Sequence, residues 1–154
     1  MATTNSDLVV SQSFDHGQTW SAAKAIPLTG DQFQSWATYD TSGRLRIGTY
    51  DREFDPANHT YDYSVLTETA PGSLTFSTTK VSSVSSDPTT GDRWFSSVPL
   101  NASFPFATEF LGDYSNIAAT PSGGVVAYWT DMRNDVTFAG RTGHGEDAYF
   151  AATS

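Results

Sequence analysis

The chain has 154 residues, a formal net charge of −9 and no cysteine. That length buries a sizeable core without disulfide staples, and the lack of cysteine excludes a disulfide framework and a thiolate metal site while leaving the compartment open. The acidic balance opposes binding to a phosphate backbone, and no apolar run approaches the roughly 20 residues of a membrane-spanning helix, so neither nucleic acid nor membrane is an expected partner. No window sustains apolar residues at helical spacing among good helix formers, whereas Ser, Thr, Gly, Asp and aromatic residues recur throughout. The expectation is an all-β chain.

Residues before Asp7 are too few and too polar for a signal peptide. Asp7 to Ser13 is a short β-rich run that feeds Ser13-Phe14-Asp15-His16-Gly17-Gln18-Thr19-Trp20. The side chains of Ser13 and Asp15 suit hydrogen bonds to backbone a few residues on, and Gly17 supplies the positive φ of a tight reversal. Thr19 and Trp20 then restart an extended, half-buried run that continues to Pro27. The pattern Ser-x-Asp-x-Gly-x-Thr-Trp resembles the Asp box of the bacterial neuraminidase repeat, found in sialidases and related β-propellers. There the box joins the third and fourth strands of a blade, away from the sugar-binding centre. The resemblance therefore implies a structural role for Ser13, Asp15, Gly17, Thr19 and Trp20, an outer hairpin at 7–27, and an extracellular or secreted setting.

Residues 31–81 read as a full four-strand unit. Phe33 to Tyr39, Arg44 to Tyr50 and Tyr61 to Thr67 are its first three strands, and a fourth follows Phe76. Thr69 to Phe76 looks like a degenerate Asp box whose turn chemistry survives without the Asp latch. Residues 82–109 form the longest stretch without clear alternation. Arg93 and Trp94, with nearby Phe residues, either line a carbohydrate-binding surface or cap a sheet edge, since aromatic faces stack on sugar rings and Arg forks a carboxylate.

Residues 110–154 read as a three-strand partial copy. Ser115 to Asp131 overlays Ser35 to Asp51 without a gap, and Asp147 to Ser154 matches both Asp62 to Leu66 and Asp7 to Ser13. Repetition with short strands selects a propeller over other repeat folds. Trp129-Thr-Asp-Met-Arg133 resembles the Trp-x-Asp-x-Arg stretch of sialidase-like repeats, and the earlier copy departs from it at Thr49 and Glu53. About two repeat units do not close a ring, which takes roughly four blades or more. The expected partners are missing blades or other copies of the chain, joined head to tail.

Two functions follow from the resemblance. One is a self-associating structural module of a sialidase-like propeller that contacts glycans through Arg93, Trp94, Arg133 and Arg141, although the repeat-equivalent places of Arg52 and Arg133 favour a structural role pairing with Asp51 and Asp131. The other is an exo-sialidase or related glycoside hydrolase, active once the full propeller is assembled. In the family three arginines hold the substrate carboxylate. The N-terminal arginine motif of the family is absent here, and no Tyr–Glu pair matches its nucleophile. Asp51, Glu53 and Asp55 sit at alternate positions. On an extended backbone they would share a side, as ligands for Ca²⁺ or another hard cation, or they are simply solvated loop carboxylates.

Overall fold

The computed structural model describes residues 6–87, 111–138 and 141–154, the side chains of residues 136, 138 and 141–143 excepted. Among these residues there are eleven strands and no helix. They are β1 (Val9–Val10), β2 (Lys24–Ala25), β3 (Gln32–Tyr39), β4 (Leu45–Asp51), β5 (Asp62–Glu68), β6 (Phe76–Lys80), β7 (Asn116–Ala119), β8 (Val125–Asp131), β9 (Asp135–Phe138), β10 (Arg141–His144) and β11 (Asp147–Thr153). Every pairing is antiparallel, so the all-β expectation holds. β3 to β6 form a four-stranded sheet in chain order, β7, β8 and β11 form a three-stranded sheet with β8 central, and β1–β2 and β9–β10 are ribbons. The sequence reading has no place for β9–β10, which is inserted between β8 and β11.

β4 and β5 are buried on both faces, with only Leu45 and Thr67 partly exposed. Alternation divides their side chains. Ile47 and its cross-strand partner Leu66 point to one face, where they pack with Ile26 and with Leu8, Val10 and Leu28 of the N-terminal hairpin. Tyr50, Tyr63 and Val65 point to the other, where Ile117, Val125, Ala127 and Trp129 of the three-stranded sheet meet them. The result is three layers packed face to face, the hairpin, the four-stranded sheet and the three-stranded sheet.

Aromatic rings join the second and third layers. Tyr63 stacks on Trp129 at 5.2 Å with 5° between planes, and Tyr50 meets Tyr63 edge-on at 5.1 Å. Such pairs contribute about 0.5–1.5 kcal/mol each beyond area burial. Gly48 makes room for them, since a Cβ there would stand 2.6 Å from the Tyr63 hydroxyl. The Thr130 N–H donates to the Tyr50 hydroxyl at 2.9 Å, and the Ser115 hydroxyl donates to the Gln34 carbonyl at 2.8 Å.

The same turn is built twice. The N–H groups of Asp40 and Thr120 donate to the carbonyls of Arg44 and Gly124 at 3.0 and 2.8 Å, and those of Gly43 and Gly123 return to Asp40 and Thr120 at 3.0 and 3.1 Å. In the first copy Asp40 also anchors a buried ion pair, with Arg46 Nε 2.8 Å from its carboxylate. The rest of the Arg46 guanidinium reaches Thr67 Oγ1 at 2.7 Å and the Gly123 carbonyl at 3.2 Å, tying this turn to its counterpart in the next sheet. Burial works to raise the Asp40 pKa, but hydrogen bonds from Ser42, Arg46 and the Arg44 N–H outweigh it and hold the carboxyl well below 3.8.

Removing one partner of a buried pair strands the other charge. Asp40→Ala is therefore expected to cost about 3 kcal/mol in urea unfolding. Because the folded-state pKa is depressed, this stabilisation is complete above pH 3.8 and is lost as pH falls through the acid range. The stability difference between wild type and Asp40→Asn should accordingly shrink with acidification, and a constant difference would contradict the assignment.

Candidate functional site

The turn at Ser13 to Trp20 is held by its own side chains. The Thr19 N–H and hydroxyl both donate to Asp15, at 2.9 and 2.6 Å. The Ser13 hydroxyl donates to Asp15 at 2.8 Å and accepts the Gly17 N–H at 2.8 Å. Gly17 has φ +85°, and His16 before it has φ +60°. The hydrogen bonds from Thr19, first its hydroxyl and then its N–H, and that from Ser13 hold the Asp15 pKa down to about 2. Trp20 does not resume a half-buried strand. It is 64% exposed and folds back, its indole N–H donating to the Gly17 carbonyl at 3.1 Å; the Ser21 N–H then donates to the Gln12 carbonyl at 2.9 Å, and the β-strand itself starts at Lys24.

The related turn at Thr69 to Phe76 has hydroxyl bonds of its own, Thr69 Oγ1 lying 2.6 Å from Thr75 Oγ1 and 3.2 Å from Ser73 Oγ, and is latched from outside as well. Glu68, almost fully buried, accepts the Leu74 N–H at 2.8 Å and the Leu45 N–H at 3.0 Å. Its carboxylate thus joins the β5–β6 turn to the start of β4. The sequence reading missed this residue because the acceptor lies one position before the motif.

Arg133 is engaged on every nitrogen. Nε and Nη2 lie 2.8 and 2.6 Å from the two oxygens of Asp131, and Nη1 donates to the Ser83 hydroxyl at 2.7 Å. Its guanidinium stacks over the Tyr149 ring at 4.1 Å, and its pKa is raised by the hydrogen bonds it donates to Asp131. Arg93 and Trp94 lie outside the described residues, as does the side chain of Arg141.

Of the three alternating carboxylates, Asp51 and Glu53 are brought together and Asp55 is directed elsewhere. Asp51 is fully buried, accepting Gln32 Nε2 at 3.2 Å and the Glu53 N–H at 2.9 Å. Burial and the neighbouring Asp51 charge raise the Glu53 pKa. Asp55 caps a loop, accepting the N–H groups of Thr60, Ala57 and His59 at 2.7, 2.9 and 2.9 Å, which lowers its pKa strongly. A cleft of about 230 Å³ opens here, with Thr29, Gly30, Arg52, Glu53, Asp55 and Asn58 on its walls. Among the described residues no group of three or more His, Asp or Glu is arranged to hold a metal ion.

Compared with protein-family models, with curated proteins and with solved structures, the chain matches none.

The Asp15 latch yields a direct prediction. Asp15→Ala removes the acceptor for both Thr19 donors and the group that orients Ser13, so amide exchange at Thr19 and Gly17 should accelerate while that of β4 and β5 stays unchanged. Equal protection in the variant would remove Asp15 as the latch.

Proposed function

We propose that the chain is a structural, self-associating unit of a sialidase-like Asp-box β-propeller, joined to further sheets through an open sheet face. The observation that carries this reading is the outer face of β7, β8 and β11. Tyr128 and Phe150 are direct cross-strand partners on it, 48% and 74% exposed, and Ala118, Val126, Ala148 and Ala152 extend the apolar surface around them.

The repeat explains what such a face is for. The inward residues of β8, Val125, Ala127 and Trp129, overlay Leu45, Ile47 and Thr49 of β4, and both sets face the preceding layer. The outward residues, Val126, Tyr128 and Thr130, overlay Arg46, Gly48 and Tyr50, which are covered by the following layer. By that correspondence the Tyr128–Phe150 face awaits another sheet. Contiguous exposed apolar surface of this kind marks an association site. The N-terminal hairpin offers the opposite end of the stack, with Val9 65% exposed on it. Head-to-tail contact between copies therefore uses two different surfaces and builds rings or filaments.

A glycoside-hydrolase reading has less behind it. The sugar-carboxylate role expected of Arg133 competes with its bonds to Asp131 and Ser83, and Arg93, Trp94 and the side chain of Arg141 lie outside the described residues.

Light scattering after size exclusion tests the proposal. Wild type should run as discrete oligomers or filaments at micromolar concentration, and Phe150→Lys with Tyr128→Lys should shift it to a monomer with unchanged circular dichroism. A wild type that remains monomeric, or a double variant that still associates, would refute association through this face.

A further inference from the structure

The segments that leave β4 and β8 share a backbone arrangement and differ in charge. After β8, Asp131 accepts the N–H of Arg133 at 3.0 Å, and the Arg133 guanidinium returns over the same carboxylate. After β4, Asp51 accepts the N–H of Glu53 at 2.9 Å in the same way. The side chain that follows the matching N–H is here a carboxylate. The other donor to Asp131 is Trp129 Nε1 at 3.2 Å, and its counterpart Thr49 instead bonds the carbonyls of Phe33 and Tyr50. Asp51 Oδ2 is left buried without a hydrogen-bond donor.

Neighbouring charges do not repair this. Asp51 faces Asp62 across the β4–β5 ladder, and Lys80, 2.9 Å from Asp62, meets the charge of that residue. Arg52, on the wall of the same cleft, turns to Asp31, 3.4 Å away, and lies over the Phe33 ring, its buried Nε bonding to none of these oxygens.

Gln32 adds an independent observation. It is 1% exposed and is the cross-strand partner of Asp51. Its Nε2 lies 3.0 and 3.2 Å from the carbonyls of Thr29 and Gly30 and 3.2 Å from Asp51, acceptors that share its two hydrogens. Three acceptors around the nitrogen fix the amide orientation, since a flip would set oxygen against oxygen. The Gln32 Oε1 so defined is buried with no donor, and Glu53 Oε2 is in the same condition. Three adjoining side chains thus each hold a donorless buried oxygen. Oxygens left without donors are costly in a protein interior, and one positive charge satisfies several together.

We propose that Gln32, Asp51 and Glu53 bind one hard cation of the Ca²⁺ class, through Oε1, Oδ2 and Oε2 respectively. The cation takes the electrostatic role that Arg133 plays on Asp131, and the cleft beside Glu53 supplies access and water for the remaining positions. Ca²⁺ accepts six to eight oxygens in irregular geometry, whereas Mg²⁺ demands near-ideal octahedra, so Ca²⁺ is the better fit to two carboxylates and an amide on two strands. With few protein ligands the affinity falls in the weak class, a Kd of about 10⁻⁴ to 10⁻³ M. Asp55, occupied by its own loop, is not a ligand.

Thermal melting of the whole chain, with Ca²⁺ or with EDTA, and calorimetric titration of Ca²⁺ test the site. Wild type should melt about 3 °C or more higher in roughly 10 mM Ca²⁺ than in EDTA. Mg²⁺ should do markedly less. Glu53→Gln should weaken Ca²⁺ binding about tenfold or more while leaving the EDTA melting temperature unchanged or raised, because it relieves repulsion from Asp51. Asp55→Asn should keep the Ca²⁺ response. No shift in wild type, or an equal shift in wild type and Glu53→Gln, would overturn the proposal, the latter marking diffuse counterion binding to an acidic surface. A response lost in Asp55→Asn and kept in Glu53→Gln would overturn it as well.

Discussion

Burial of β4 and β5 on both faces is the constraint from which the other features follow. An amphipathic strand needs one partner layer, but a strand buried on both sides needs two, and each must arrive in register with one set of alternating side chains. Here the N-terminal hairpin meets Ile47 and Leu66, and the three-stranded sheet meets Tyr50, Tyr63 and Val65. The arrangement also forces polar groups inside. Arg46, Thr49, Asp51, Asp62, Ser64 and Glu68 are all buried on these two strands, and a buried charge needs a partner or imposes a heavy penalty.

Much of the internal chemistry is the settling of those partners. Arg46 finds Asp40 and the Gly123 carbonyl, Glu68 takes two backbone N–H groups from different strands, and Asp62 takes Lys80 with the hydroxyls of Ser82 and Ser85. The Arg46–Gly123 and Glu68–Leu45 bonds join turns and strands distant in sequence, so they fix how layers and turns meet, a matter apolar contacts leave loose. Buried ion pairs add little net stability over apolar replacements, but breaking one is costly. Their effect here is positional: Arg46 sets the first tight turn against the second.

Local chemistry was legible and non-local chemistry was not. The strands flanking Gly43 and Gly123, and the reversal at Gly17, follow from alternation and turn residues whose causes lie within a few positions. Trp20 misleads because a large aromatic reads as half-buried, while its indole N–H finds the Gly17 carbonyl three residues back and closes over the turn instead. β9 and β10 span four residues each, too few for alternation to stand out. Glu68 belongs to no motif, and its use as a latch depends on β4 lying beside β5. Asp55 reads as one of three equivalent carboxylates because nothing local shows that the loop from Ala57 to Thr60 closes on it. Pairing Asp51 with Glu53 was readable from spacing, whereas the donorless oxygen of Gln32 required the cross-strand register.

Repetition makes departures informative. Where two copies share a backbone, a substitution is judged against a native control in the same molecule. Thr120 in place of Asp40 comes with Val126 in place of Arg46, so anchor and ion-pair partner disappear together and the turn survives on its backbone bonds. Glu53 in place of Arg133 comes with Thr49 in place of Trp129, but there the loss is one-sided: both donors go and the carboxylate stays. A paired loss leaves the interior balanced. A one-sided loss leaves negative charge buried at the end of β4, and such a charge persists in a folded protein when something positive meets it.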